Sequence, residues 1–174
     1  MSDPTIRRAG HNDLTALAVL FDEYRQFYGE SSDRELARRF LQARMTKNES
    51  VIFLAEHSDG EVLGFCQLYP SFCSLAAAPI YVLYDLFTRP QDRQRGIASG
   101  LLGHIERYAR DNGFVRLELS TARDKPVDVL WQDAREILGL WALVGLGGIA
   151  ANMVVSLQAD RMAHRRRLGA MASY

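Results

Sequence analysis

The stretch that most narrows the fold lies between residues 80 and 112. An apolar segment rich in Val, Leu and aromatic residues (80–88) ends at Arg89-Pro90, crosses a polar turn and reaches Gly96 just where helical periodicity begins. Leu101, Leu102, Ile105 and Tyr108 then recur at three-and-four spacing, setting one helix face inward, and Asn112-Gly113 supplies a left-handed stop. A helix start leaves its first backbone amides unpaired and carries the positive end of the macrodipole, about half an elementary charge. Such a place binds phosphate. Gly96 allows close approach of the backbone to a ligand, Ala98 keeps the next turn uncrowded, and Arg93 and Arg95 add guanidinium donors suited to phosphate oxygens. A capped helix with solvated arginines would carry the same sequence, so this loop alone leaves both readings open.

Upstream, residues 5–9 read as a first strand. Asn12 is the expected N-cap of a helix with Leu14, Leu17, Ala18, Phe21 and Tyr24 on one face. Ser32 and Glu35 fit a reciprocal capping box that opens a second helix, with Leu36, Phe40, Leu41 and Met45 directed inward. Residues 50–56 form a strand, Ser58-Asp59-Gly60 a hairpin turn and 62–69 the returning strand, while 114–121 alternates as a last strand. This order predicts a mixed α/β (α+β) domain around a largely antiparallel central sheet flanked by helices.

A chain of 174 residues can build one domain with a real core. Basic and acidic residues balance at 21 each, which gives no electrostatic reason to expect a nucleic-acid partner. Cys66 and Cys73 are too few for a disulfide scaffold and read as reduced, buried thiols of an intracellular protein. The four histidines are scattered without ligand spacing, so no metal site is expected. Residues 1–6 carry no apolar leader core. Arg7-Arg8 and Arg38-Arg39 read as solvated faces, and Tyr24, Phe27 and Tyr28 as either core or the lining of a substrate entrance.

Arg93-x-x-Gly96-x-Ala98, preceded by the strand Tyr84-Asp85-Leu86-Phe87-Thr88, resembles the GNAT N-acetyltransferases, in particular the diamine and polyamine acetyltransferase-like group. The resemblance runs over about residues 5–134 and treats them, with the N-terminus, as an acetyltransferase domain (1–134). It implies that acetyl-CoA is the co-substrate. Backbone groups of Leu86, Phe87 and Thr88 would hold its pantetheine arm, and Arg93, Gln94, Arg95, Gly96, Ile97, Ala98 and Ser99, with Asp124, would form the rest of its site. A primary amine of a small molecule would attack the thioester directly in a ternary complex. Such an amine must first lose a proton from an ammonium with a pKa of about 10.4, and Asp85 is the nearest base. The resemblance also carries the expectation of a cytoplasmic enzyme and of a homodimer.

The chain departs from that family after residue 123. Asp124 and Trp131 stand where relatives have an asparagine and a tyrosine, and indole is a hydrogen-bond donor with no proton to release at neutral pH. The general acid is then water, Tyr84 or Tyr81, or the chain is a non-catalytic acetyl-CoA-binding module. Residues 135–174 form an atypical C-terminal segment, with an uncharged run at 137–157 followed by Arg161 and Arg165-Arg166-Arg167. Three readings stand for the run: a membrane span tethering a cytoplasmic catalytic domain, a buried replacement for the family's last strands, or a shifted reading frame.

Overall fold

The computed structural model of the protein describes residues 4–119. Five strands, β1 (Thr5–Arg8), β2 (Val51–Glu56), β3 (Val62–Cys73), β4 (Ala78–Thr88) and β5 (Leu117–Leu119), form one sheet in that spatial order. The first three pairings are antiparallel and β4–β5 is parallel. Helices α1 (Leu14–Phe27) and α2 (Arg34–Thr46) join β1 to β2, and α3 (Ile97–Asp111) makes the crossover that a parallel β4–β5 pair requires. The expected fold class is the one observed.

Alternation along the strands explains why helices cover both faces. In β2, Val51, Phe53 and Ala55 pack with Ile97, Leu101 and Ile105 of α3, whereas Ile52 and Leu54 pack with Leu17, Phe21 and Leu41 of α1 and α2. The strand is buried from Val51 to Ala55 and shows no polar alternation in sequence. Leu101 and Ile105 are fully buried, and removing each side chain from water contributes about 1.5–3 kcal/mol.

Several local expectations are corrected. Asn12 lies inside a single 3-10 turn (His11–Asp13) and caps nothing; Asp13 instead reaches back to the Gly10 amide at 2.7 Å. Arg7 is not merely solvated, because it bridges Asp13 at 2.8 Å and Glu56 at 2.5 Å, tying β1 to β2 and to the start of α1. The cap of α2 is Asp33, whose carboxylate accepts from the Leu36 amide at 2.8 Å. Ser32 is turned away to donate to Asp22, and Glu35 pairs with Arg38 on the exposed face. With the helix starting at this register, Leu36 is exposed and Ala37 takes the inward position. The hairpin strands also run further than expected, β3 to Cys73 and β4 back to Ala78, and Cys73 is partly exposed rather than buried.

Asp22 organises the connection between α1 and α2. It is buried and accepts from Ser32 Oγ at 2.7 Å, the Asp33 amide at 2.7 Å and Gln26 Nε2 at 3.0 Å. Burial by itself would raise its pKa, but the donors from Ser32, Asp33 and Gln26, with Arg25 nearby, hold it below the usual carboxylate value.

Candidate active site

A single extra residue in β4 decides what faces what. Leu68 of β3 pairs with Leu83, yet the next residue back, Gln67, pairs with Asp85, so Tyr84 is bulged out of register. Before the bulge, Tyr81 and Leu83 face α3; after it, Phe87 faces α1 and α2. Without the bulge, Asp85 and Phe87 would share the α3 face with Leu83, because side chains two apart point the same way. With it, Asp85 is delivered to the α1 side and Tyr84 is left largely exposed.

Asp85 is 5% exposed, and burial pushes its carboxyl up to about 6, moderated by a hydrogen bond from the Tyr24 hydroxyl. Among the described residues it has no cationic partner. The groups that face it are phenols: Tyr24 from α1, Tyr28 at the C-cap of α1 and Tyr69 from β3, while Tyr84, its neighbour in β4, lies against Tyr24 and Tyr69. Tyr24 meets Tyr28 edge-on with ring centroids 4.9 Å apart, and Tyr69 meets Tyr84 at 5.7 Å. Burial pushes Tyr24 well above the usual phenol value and Tyr69 up to about 12, so both stay neutral at physiological pH. Arg44 and Glu49, an ion pair at 2.5 Å, lie beyond Tyr69. Gln67, opposite Asp85, is fully buried; its Nε2 donates to Ser50 Oγ at 2.7 Å, and its Oε1 has no partner among the described residues.

At the end of β4 a second feature opens. Gly96, with φ +74°, is the N-cap of α3, and a side chain there would meet nothing within 4 Å. The first helical hydrogen bond is donated by Gly100 to the Gly96 carbonyl, so the amides of Ile97, Ala98 and Ser99 in the first turn have no acceptor within the helix. Buried hydroxyls of Thr88 and Ser99 have no partner among the described residues. Gly64 brings the elements together: a Cβ on it would lie 2.7 Å from the Phe87 carbonyl oxygen and 3.2 Å from Thr88 Oγ1. These donors fit a polyanionic group such as a diphosphate.

The two arginines are more occupied than their sequence suggests. Arg93 Nε donates to the Thr88 carbonyl at 3.2 Å, and its guanidinium lies 5.2 Å from the centre of the Phe27 ring. Arg95 Nη1 donates to buried Asp92 at 2.6 Å. Both therefore also shape the turn between β4 and α3. Leu86 and Phe87 lie on β4 beyond its pairing with β5, so in Leu86–Thr88 one edge of β4 is unpaired among the described residues.

The structure brings Tyr84, Asp85, Leu86, Phe87 and Thr88 to one end of the sheet beside residues 93–99. Tyr81 does not join them. It faces α3, stacks on Phe114 at 3.7 Å and shares a hydrogen bond with Tyr108, and burial pushes its hydroxyl up to about 12. Burial likewise pushes the Cys66 thiol up to about 12, an inert core group. Sequence gives Tyr24 as core or entrance lining, with no role beside Asp85, and gives no signal for Gln67, which sits in an apolar strand. Asp124, Trp131, the run 137–157 and the arginines after it lie outside the described residues.

Comparison with known proteins places this arrangement. The profile of the Acetyltransferase (GNAT) family matches residues 17–128. An uncharacterized N-acetyltransferase of Bacillus subtilis is 46% identical over 116 residues, 67% of this chain and 77% of that protein. An aminoglycoside N(6')-acetyltransferase type 1 of Stenotrophomonas maltophilia is 28% identical over 64% of this chain and 71% of its own length. A crystal structure of a probable acetyltransferase superposes with a TM-score of 0.70 at 39% identity, covering 76% of this chain and 87% of that one.

Proposed function

The chain belongs to the GNAT family of acetyltransferases, and on that premise we propose that it transfers the acetyl group of acetyl-CoA to a primary amine of a small molecule. The observation that carries the reading is the set of first-turn amides from Ile97 to Ser99, which have no acceptor within α3, beside the open edge of β4. In this reading those amides, with Thr88 Oγ1 and Ser99 Oγ, hold the diphosphate, and the main chain of Leu86–Thr88 receives the pantetheine arm. Gln94 contributes to the same loop through its left-handed backbone, φ +59°. Acetyl-CoA supplies an acyl thioester; the amine nitrogen forms the new C–N bond as the C–S bond breaks.

Asp85 is the base of the proposal. A carboxylate whose pKa is raised to about 6 is mostly ionised at pH 7 and a better proton acceptor than an exposed aspartate. It takes a proton from the ammonium, and Tyr84, largely exposed next to it, stands nearest to return one to the departing thiolate. Residues 1–134 are assigned to the acetyltransferase domain, which contains the matched span 17–128, and 135–174 to a separate segment. Acetyl-CoA as co-substrate supports a cytoplasmic site of action. Among the described residues no helix is long and apolar enough to cross a membrane.

Calorimetric titration with acetyl-CoA, followed by thiol release over a panel of primary amines, tests the reading. Binding with turnover of at least one amine is expected. Binding without turnover would favour a non-catalytic acetyl-CoA module, and absence of binding overturns the proposal.

A further inference from the structure

The surroundings of Asp85 carry more than a base. A buried carboxylate is costly unless a charge or several donors compensate it. Here the described residues give Asp85 one donor, the Tyr24 hydroxyl, and no cation. Directly across the β3–β4 ladder, Gln67 Oε1 is a second buried acceptor without a partner. Residues paired in this way share a sheet face, so the two acceptors are neighbours. Both call for donors, and the first calls for positive charge.

Around them stand four phenol rings. Aromatic faces attract cations, with a worth of roughly 0.5–2 kcal/mol depending on desolvation. The charge count is also specific. Among the described residues, Asp85 is the one carboxylate beside these rings that has no cationic partner; Glu49, beyond Tyr69, is already matched by Arg44.

We propose that Asp85, Gln67 and the ring formed by Tyr24, Tyr28, Tyr69 and Tyr84 are a cage for one alkylammonium group. The acceptor amine is thus a monocation on an aromatic or apolar body, rather than a polyamine. This rests on the acetyltransferase reading for its role in turnover, but the cage is a binding site in its own right. An ammonium brings three N–H donors, enough for Asp85 and Gln67 together. Among the described residues, a second ammonium on the same ligand would find rings and the Arg44–Glu49 pair, with no unpaired acid beside the rings.

The test is a set of calorimetric titrations without an acetyl donor, run with the protein alone and again with coenzyme A. The probes are 2-phenylethylamine, the neutral 2-phenylethanol and spermidine. Saturable binding of the phenylethylamine is expected, about tenfold or more tighter than either other probe, as befits a desolvated charge pair with cation–π support. Asp85→Asn should abolish the preference for amine over alcohol. Tyr84→Leu, at an exposed position, should weaken the amine several-fold with its melting temperature nearly unchanged. Equal binding of amine and alcohol, tightest binding of spermidine, or an unchanged preference in Asp85→Asn would overturn the cage. If the amine binds as expected and acetyl-CoA does not, the cage stands and the acetyltransferase reading fails; the reverse result removes the cage alone.

Discussion

The Tyr24 hydroxyl of α1 donates a hydrogen bond to the Asp85 carboxylate of β4, joining the first helix to the strand that follows the hairpin. Because that bond favours the ionised acid, it opposes part of the upward pull of burial. Tyr24→Phe should therefore raise the Asp85 pKa further. The acidic limb of a kcat/KM profile, expected near pH 6 in the parent protein, should move to higher pH in the variant. A limb that stays in place would mean that another group controls it.

Asp85→Asn should separate activity from stability. Removing the base should cost roughly 10²–10⁴ in kcat/KM, measured by thiol release. Stability should move the opposite way. The folded carboxyl titrates at about 6, above its unfolded value, so the native state binds the extra proton between about pH 4 and pH 6 and loses relative stability as pH rises through that window. At pH 7 the penalty is on the order of 2–3 kcal/mol. The variant should therefore melt higher than the parent at pH 7–8, with the gap closing near pH 4.

Gly96→Val should lose acetyl-CoA affinity by about tenfold or more. A β-branched residue is strained by roughly 1–2 kcal/mol at φ +74°, and its side chain would project into the open space in front of the α3 amides. Titration calorimetry gives the affinity, and circular dichroism reports whether the helix content is kept.

Gly64→Ala places a Cβ against the Phe87 carbonyl oxygen at 2.7 Å, an obstacle of backbone that cannot swing aside. The expected loss is roughly 1–3 kcal/mol in denaturant unfolding. Because Gly64 pairs with Thr88, coenzyme affinity should fall as well.

Asp22→Ala should strip the α1–α2 connection of its acceptor, leaving the Asp33 amide and Ser32 hydroxyl unpaired, at a cost of about 3 kcal/mol. Its carboxyl titrates below the ordinary value, so the stabilisation is complete above about pH 4 and drains away as pH falls through the folded pKa. Parent and variant melting curves should converge in acid.

Sequence periodicity was enough for the order of elements, since each helix face and each strand carried an apolar pattern. The Arg93–Ser99 loop was legible because a positive-φ glycine between strand and helix leaves few alternatives. Caps were less so: Asn12, Asp13, Ser32 and Asp33 are all competent cap residues, and only tertiary partners such as Arg7 and Asp22 decide among them. The bulge at Tyr84 was invisible because β4 is covered on both faces, so its apolar string has no alternation for an extra residue to break. Gln67 was hidden for the same reason, and Tyr24 was legible only as core or entrance lining, because the importance of both depends on which side Asp85 faces. The family to which the chain belongs was readable from a short motif, whereas the proposed cage draws on four tyrosines spread from position 24 to position 84.

The bulge makes the spacing between Leu83 and Asp85 a heritable setting in its own right. Point mutations at position 84 alter a ring, and losing that one codon would close the ladder with Asp85 still opposite Gln67, taking away Tyr84 and leaving the acid on the α1 side. A relative with one residue fewer between those points would have a regular strand, keep its acid in place and lose one ring.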